Sequence, residues 1–145
     1  MSSRSVNNRI RIRSCGVLIE DGRLLLVELL SPVTESWIWI PPGGEVNFGE
    51  SLEEAVIREF QEETGLKVSI DQLLEVNEVI KPPIHAVEVY FVVNREGGKL
   101  ALGMDPELAA DAQILRNIGF FTKNEIREME IAPEGLTDKL HALLD

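Results

Sequence analysis

Residues 44–66 read GEVNFGESLEEAVIREFQEETGL, and the punctuation of this stretch says what the rest of the chain is built around. Ser51 followed by Glu54 has the S-x-x-E form of a capping box, in which hydroxyl and carboxylate satisfy unpaired amide donors, so a helix opens at Leu52. Leu52, Val56 and Phe60 recur at four-residue steps with Ile57 on their flank, making an apolar stripe, while Glu54, Arg58, Glu59 and Glu62 fall on the remaining face. Gly65, directly after Thr64, suits the left-handed position that ends a helix, and Leu66 can fold back as an apolar anchor.

On that helix Glu59, Glu62 and Glu63 are related by i to i+3 and i to i+4 steps, so their side chains leave one region of the surface as neighbours in the last turns. Like charges at this spacing cost a few tenths of a kcal/mol per pair, roughly, unless a cation or a proton compensates them. Oxygen-only ligands point to a hard divalent ion, Mg2+ first and Mn2+ as its substitute. Upstream, Trp37 to Ile40 reads as a short strand stopped by Pro41-Pro42, and Gly43-Gly44 as a tight loop. Without side chains, those glycines let the main chain approach a metal or a phosphate, and a carbonyl there could be a further ligand.

These residues resemble the Nudix box, the signature of the Nudix hydrolases: Gly44, Glu50, Arg58, Glu59, Phe60, Glu62, Glu63, Gly65 and Leu66 fill every fixed position of that pattern. The resemblance covers 23 of 145 residues directly, and Trp39 to Gly43 looks like the usual approach to the box. It implies an α/β fold, an α/β/α sandwich with a mixed sheet, and a Mg2+-dependent hydrolase of a nucleoside diphosphate linked to another moiety, acting by water attack on a pyrophosphate phosphorus. Carried over by position, it makes Glu59, Glu62, Glu63 and the Gly44 carbonyl metal ligands. Glu50 becomes a supporting carboxylate, and Arg58 a residue that orients a catalytic glutamate. It also makes a homodimer the default assembly.

Such chemistry needs a carboxylate to take the proton of the attacking water, and acidic neighbours can raise one carboxyl's pKa toward that task. Glu62 is the first candidate; Glu78, Asp105 and Glu107, outside the box, are alternatives. Two blander readings compete: a surface helix with a solvated acidic face and ordinary Glu54–Arg58 and Arg58–Glu62 pairs, and a Nudix fold kept as a non-catalytic nucleotide-sugar-binding module. The first leaves the glycine pair and the acidic crowding unexplained. The second is usually accompanied by loss of a box glutamate, and none is lost.

The chain is 145 residues long with 44% hydrophobic content, enough for one core, so residues 1–145 read as a single domain. A net charge of -11 opposes binding to nucleic acid or an anionic membrane, so a phosphate substrate must be attracted locally. Arg9, Arg11 and Arg13 alternate with Ile10 and Ile12, which would put the arginines on one strand face: either a phosphate grip through Arg11 and Arg13 or, preferred, a solubilising edge strand. Lys81 and Arg116 are weaker candidates for the same task. Cys15 is the only cysteine and reads as a small buried side chain; no signal peptide or membrane span is visible, and a cytoplasmic setting fits. His85 and His141 are far apart in sequence without other soft ligands, which argues against zinc.

Elsewhere strands are expected near Arg11 to Ile19, Leu24 to Leu29, Val68 to Val79 with a break, His85 to Val93 and Ile114 to Phe121, with an Asp21-Gly22 hairpin and a Gly97-Gly98 turn. Short helices should follow at Lys123 to Met129 and Leu136 to Leu144, after an irregular acidic loop from Gly103 to Ala112. For the substrate, Pro82 lies sixteen positions past Leu66, similar to a feature of ADP-ribose pyrophosphatases, although Pro82-Pro83 also reads as a plain rigid loop. Trp37, Trp39 or Phe48 could stack on a base, one tryptophan at least being a core residue. The favoured substrate is a nucleoside diphosphate sugar such as ADP-ribose, and the alternative a modified nucleoside triphosphate.

Overall fold

The fold was obtained as a computed structural model, which describes residues 9–31, 34–103, 115–131 and 134–144. Among the described residues eight strands and three helices follow one another: β1 (Arg11–Val17), β2 (Ile19–Glu20), β3 (Arg23–Leu30), β4 (Trp37–Ile40), β5 (Gly43–Glu45), α1 (Leu52–Thr64), β6 (Leu66–Lys81), β7 (Ile84–Gly98), β8 (Leu115–Thr122), α2 (Lys123–Arg127) and α3 (Glu134–Leu144). They form two sheets. The first runs β5-β1-β7-β6 and is mixed, since β1 and β7 are parallel and the other pairs antiparallel. In the second, β3 carries β4 and the two-residue β2 along one side and β8 along the other.

Strand alternation explains how helices come to cover both sides. Leu25 of β3 joins Val56 and Phe60 of α1 in one core with Leu18, Leu66, Val68, Val89, Phe91 and Val93. Its neighbours Leu24 and Leu26 point the other way, into a second core with Cys15, Val17, Tyr90, Ile126 of α2 and Leu140 of α3. The layering is α/β/α, with Phe60 fully buried at the heart of the first core. Cys15 is buried in the second, the role its sequence context suggested. Among the described residues no helix is long and apolar enough to cross a membrane.

Helix α1 begins and ends where its caps dictate. The Ser51 hydroxyl accepts from the Glu54 amide at 3.0 Å, and the Glu54 carboxylate from the Ser51 amide at 2.9 Å. Gly65 closes the helix at φ 78° with its amide bonded to the Gln61 carbonyl. Because Ser51 is exposed and its hydroxyl serves only the cap among the contacts described, Ser51→Ala should lower unfolding free energy by about 1 kcal/mol in a denaturant titration, with activity kept.

Several local expectations change. Gly43-Gly44 is not a loop but part of β5, paired with Ser14 and Cys15, because a side chain at Gly43 would strike the Ser14 carbonyl and Cys15. β1 is not an edge strand, lying between β5 and β7, so its arginines do not guard an open edge. The expected break in β6 is instead a set of register shifts within one strand that runs to Lys81. Gly97 and Gly98 do not form the expected turn: they extend β7 opposite Lys67 and Leu66, Gly98 at φ 88° packing where a side chain would meet Gly65 and Leu66. Asp21-Gly22, with φ values of 52° and 72°, is the expected tight hairpin.

Candidate active site

Arg58 is the hub of the site. Its Nε and Nη2 grip both oxygens of Glu50 at 2.7 and 2.9 Å, its Nη1 donates to Glu59 at 2.7 Å and to Glu62 at 3.4 Å, and Nη2 also reaches the Glu45 carbonyl at 3.1 Å. Glu50 receives the Asn47 amide as well, at 3.0 Å, so the 46–51 loop is tied to the middle of α1. These donors, Arg58 first, hold the Glu50 carboxyl down at about 2, ionised at neutral pH. The expected Glu54–Arg58 pair is not made, because Glu54 is spent on the cap.

The other glutamates sit in less compensated places. Glu59, 17% exposed, is raised above the ordinary carboxylate value because burial outweighs its bond to Arg58. Glu63 is pushed up to about 8 by burial and then by the charge of Glu59, against a 3.2 Å hydrogen bond from the Gly43 amide. Strand β5 therefore lies directly against α1, and a side chain at Gly44 would run into the Glu59 carboxylate. Glu62 is different: its side chain is 52% exposed, and the long contact to Arg58 is the ion pair found for it.

Among the described residues no three His, Cys, Asp or Glu side chains are already gathered as a metal cage, since Glu59 is turned to Arg58 and Glu63 to the Gly43 amide. The donor set nonetheless fits a hard divalent cation. It is all oxygen, two of its carboxylates are partly buried with too little positive charge around them, and Gly44 leaves no side chain between the main chain and Glu59. Glu59, Glu62, Glu63 and the Gly44 carbonyl are the groups that could hold it.

The residues expected to meet substrate are dispersed. Arg13 lies in β1 and bonds Glu88 of β7 at 3.0 Å, while Arg9 forks onto Glu45 at 2.8 and 3.3 Å. Arg11 follows on the same strand face. Trp39, four residues before Gly43, is half-buried and stands edge-on to Phe121 with ring centroids 4.8 Å apart; Trp37 lies under the guanidinium of Arg116 at 4.1 Å, and Arg116 in turn forks onto Glu28. Phe48 projects fully into solvent from the loop that carries Glu50.

Pro82 is not brought to the carboxylates. It forms the exposed tip of the β6–β7 hairpin with Pro83, and by register that tip lies five or six strand residues beyond the level of Gly44, roughly 17–20 Å. Lys81 shares that tip. Glu78, two residues along β6 from the level of Gly44, is paired with His85 at 2.9 Å, and Asp105 and Glu107 lie outside the described residues. Sequence reasoning missed Glu88, Asn77 and Tyr90 around Arg13; the available signal was Glu88 as the lone acid in the apolar run from Ile84 to Val93.

The chain is 34% identical to the ADP-ribose pyrophosphatase of Methanocaldococcus jannaschii over 96 residues, which are 65% of this chain and 56% of that protein. It is 37% identical to an uncharacterized Nudix hydrolase of Bacillus subtilis over 83 residues, 57% of this chain and 49% of the relative, so the match spans about half the length of either. The crystal structure of a MutT Nudix hydrolase from Burkholderia pseudomallei superimposes with a TM-score of 0.66 at 25% identity, over 94% of this chain and 97% of that one. The family model described as the NUDIX domain matches residues 10–138, and with that span the chain belongs to the Nudix family.

Proposed function

We propose that this chain is a Mg2+-dependent hydrolase, with Mn2+ as a possible substitute, that splits the pyrophosphate of a nucleoside diphosphate linked to another moiety, favouring a nucleoside diphosphate sugar such as ADP-ribose. The observation that carries the reading is the undercompensated carboxylate cluster of Glu59 and Glu63 against the β5 glycines, with Glu62 beside it. The substrate rests on the name of the archaeal relative. When bound at Glu59, Glu62, Glu63 and Gly44, the cation would neutralise the pyrophosphate oxygens.

The chain's own residues divide the remaining work. Glu62, exposed and weakly held, takes the proton of the attacking water as its oxygen bonds to phosphorus and the phosphoanhydride P–O bond breaks toward the leaving phosphate. Arg58 fixes Glu59 and Glu62 by charge-assisted bonds, and Glu50, ionised at neutral pH, fixes Arg58. Arg11, Arg13 and Trp39 bind substrate on the sheet side, whereas the distance of Pro82 removes its support as a substrate residue.

We read residues 1–145 as one domain, in keeping with the family match over 10–138. The -11 charge supports a small nucleotide rather than nucleic acid or membrane as partner, and the single buried cysteine a cytoplasmic setting; a homodimer is the family default. A panel of nucleotides incubated with Mg2+ and resolved by chromatography tests the reading. AMP plus ribose phosphate from ADP-ribose supports it, inorganic pyrophosphate from a nucleoside triphosphate moves the substrate to the other class, and tight binding without turnover sinks it.

A further inference from the structure

Glu88 stands opposite Arg13 in the parallel β1–β7 ladder, so the two side chains leave the same sheet face. Its carboxylate accepts Arg13 Nη1 at 3.0 Å, the Tyr90 hydroxyl at 3.1 Å and Asn77 Nδ2 at 3.1 Å, donors from three adjacent strands. The Arg13 and Glu88 side chains are only 22% and 13% exposed. Such a pair is a poor source of stability, because apolar side chains of similar volume commonly do as well or better, and the same face continues into the apolar core at Cys15 and Val17.

The location suggests a use. Cys15, the next residue on that face of β1, faces Gly43, whose amide bonds Glu63, so Arg13 lies about 7 Å along the strand from the backing of the carboxylate cluster. Among the described residues Arg13 makes a hydrogen bond only through Nη1, and a guanidinium has donors in addition to that one. Glu88, with three donors converging on it, is held in place and anchors the guanidinium at Nη1 without drawing in the rest of its edge.

We propose that Glu88 is a positioning residue which, with Asn77 and Tyr90, aims Arg13 at a substrate phosphate oxygen on the sheet side of the site. The inference deepens the hydrolase reading and rests on it for the identity of the anion. Recognition of the phosphate is then shared between the carboxylate cluster and a rigid element built from β1, β6 and β7.

Glu88→Gln keeps the volume and removes the charge that holds the guanidinium. With the nucleotide that wild type hydrolyses best, KM should rise about tenfold or more while kcat stays within about threefold, and the Arg13→Ala, Glu88→Gln double variant should be no worse than Arg13→Ala alone. Asn77→Ala, on a partly exposed strand, should move KM the same way by less, and carries the test should Glu88→Gln fail to fold. Unchanged KM in the folded Glu88 variant, in Asn77→Ala if that variant does not fold, or a loss confined to kcat, overturns the proposal.

A second arm needs no turnover: the rise in unfolding temperature produced by inorganic pyrophosphate with Mg2+. The unmutated chain should be stabilised, and Arg13→Ala and Glu88→Gln should lose most of that gain. No rise in the unmutated chain, or equal rises in all variants, also overturns it. An Arg13- and Glu88-dependent rise in a chain that hydrolyses no nucleotide keeps the anion grip and discards the hydrolase reading instead.

Discussion

Glu62→Gln is expected to lower kcat at saturating Mg2+ by at least about a hundredfold, with unfolding free energy changed by no more than about 1 kcal/mol. The two halves of that expectation have separate causes. The substitution removes a charge and a proton acceptor but almost no volume, so the site loses the group assigned to the attacking water. The fold loses little, because the Glu62 side chain is 52% exposed and its ion pair to Arg58 is long, at 3.4 Å. Glu50→Gln provides the contrast: it removes the charge and turns one of the two oxygens that accept from Arg58 into a donor NH2, so the bidentate grip is lost and both stability and rate should fall. Initial rates and denaturant titrations on the same preparations decide the matter. A Glu62→Gln enzyme that keeps most of its activity would move the base elsewhere, and Glu78 would be a poor successor because its carboxylate is already paired with His85.

What the amino-acid order reveals here tracks how local each cause is. The limits of α1 were legible because Ser51, Glu54 and Gly65 act within a few residues of themselves, and the box glutamates inherited their placement from that helix. The strand β5 was not legible: two glycines read as a turn, and only the main chain of β1 lying alongside makes them a strand. The same holds for β1, whose alternating arginines mimic a charged edge until β5 and β7 are seen to flank it. Arg58 shows the limit most sharply. Spacing alone offered it Glu54 and Glu62, one turn away on either side, yet its strongest partner is Glu50, eight residues back, brought within reach by the loop. The position of Pro82 was not legible for the complementary reason, since a count of positions past the box carries no information about where a long hairpin ends.

With divalent cations removed by chelation, stability is expected to fall as pH rises from about 4.5 to about 8, and added Mg2+ to restore it most strongly at the upper end. Burial and the neighbouring Glu59 raise the Glu63 carboxyl from an ordinary 4.5 to about 8 in the folded chain. Between those values the folded state keeps a proton that the unfolded state has lost, so the free energy of unfolding declines with pH; below 4.5 both states hold the proton, above 8 neither does, and the slope vanishes. Glu59 is shifted in the same direction and adds to the slope. Glu50 works in the opposite sense and in another window: held at about 2 in the folded state, its contribution is present above 4.5 and is lost as pH falls toward 2. The two windows abut, so the chelated protein should be most stable near the ordinary carboxylate value, with a total loss of a few kcal/mol, roughly, by pH 8. Glu63→Gln should flatten the upper limb and leave the acid limb in place. Mg2+ selects the ionised carboxylates, so its stabilisation should grow with pH and shrink in Glu63→Gln. Thermal unfolding across pH, with and without Mg2+, measures all of this; an upper limb as steep in Glu63→Gln as in wild type would mean that the crowded carboxylates on α1 are not its source.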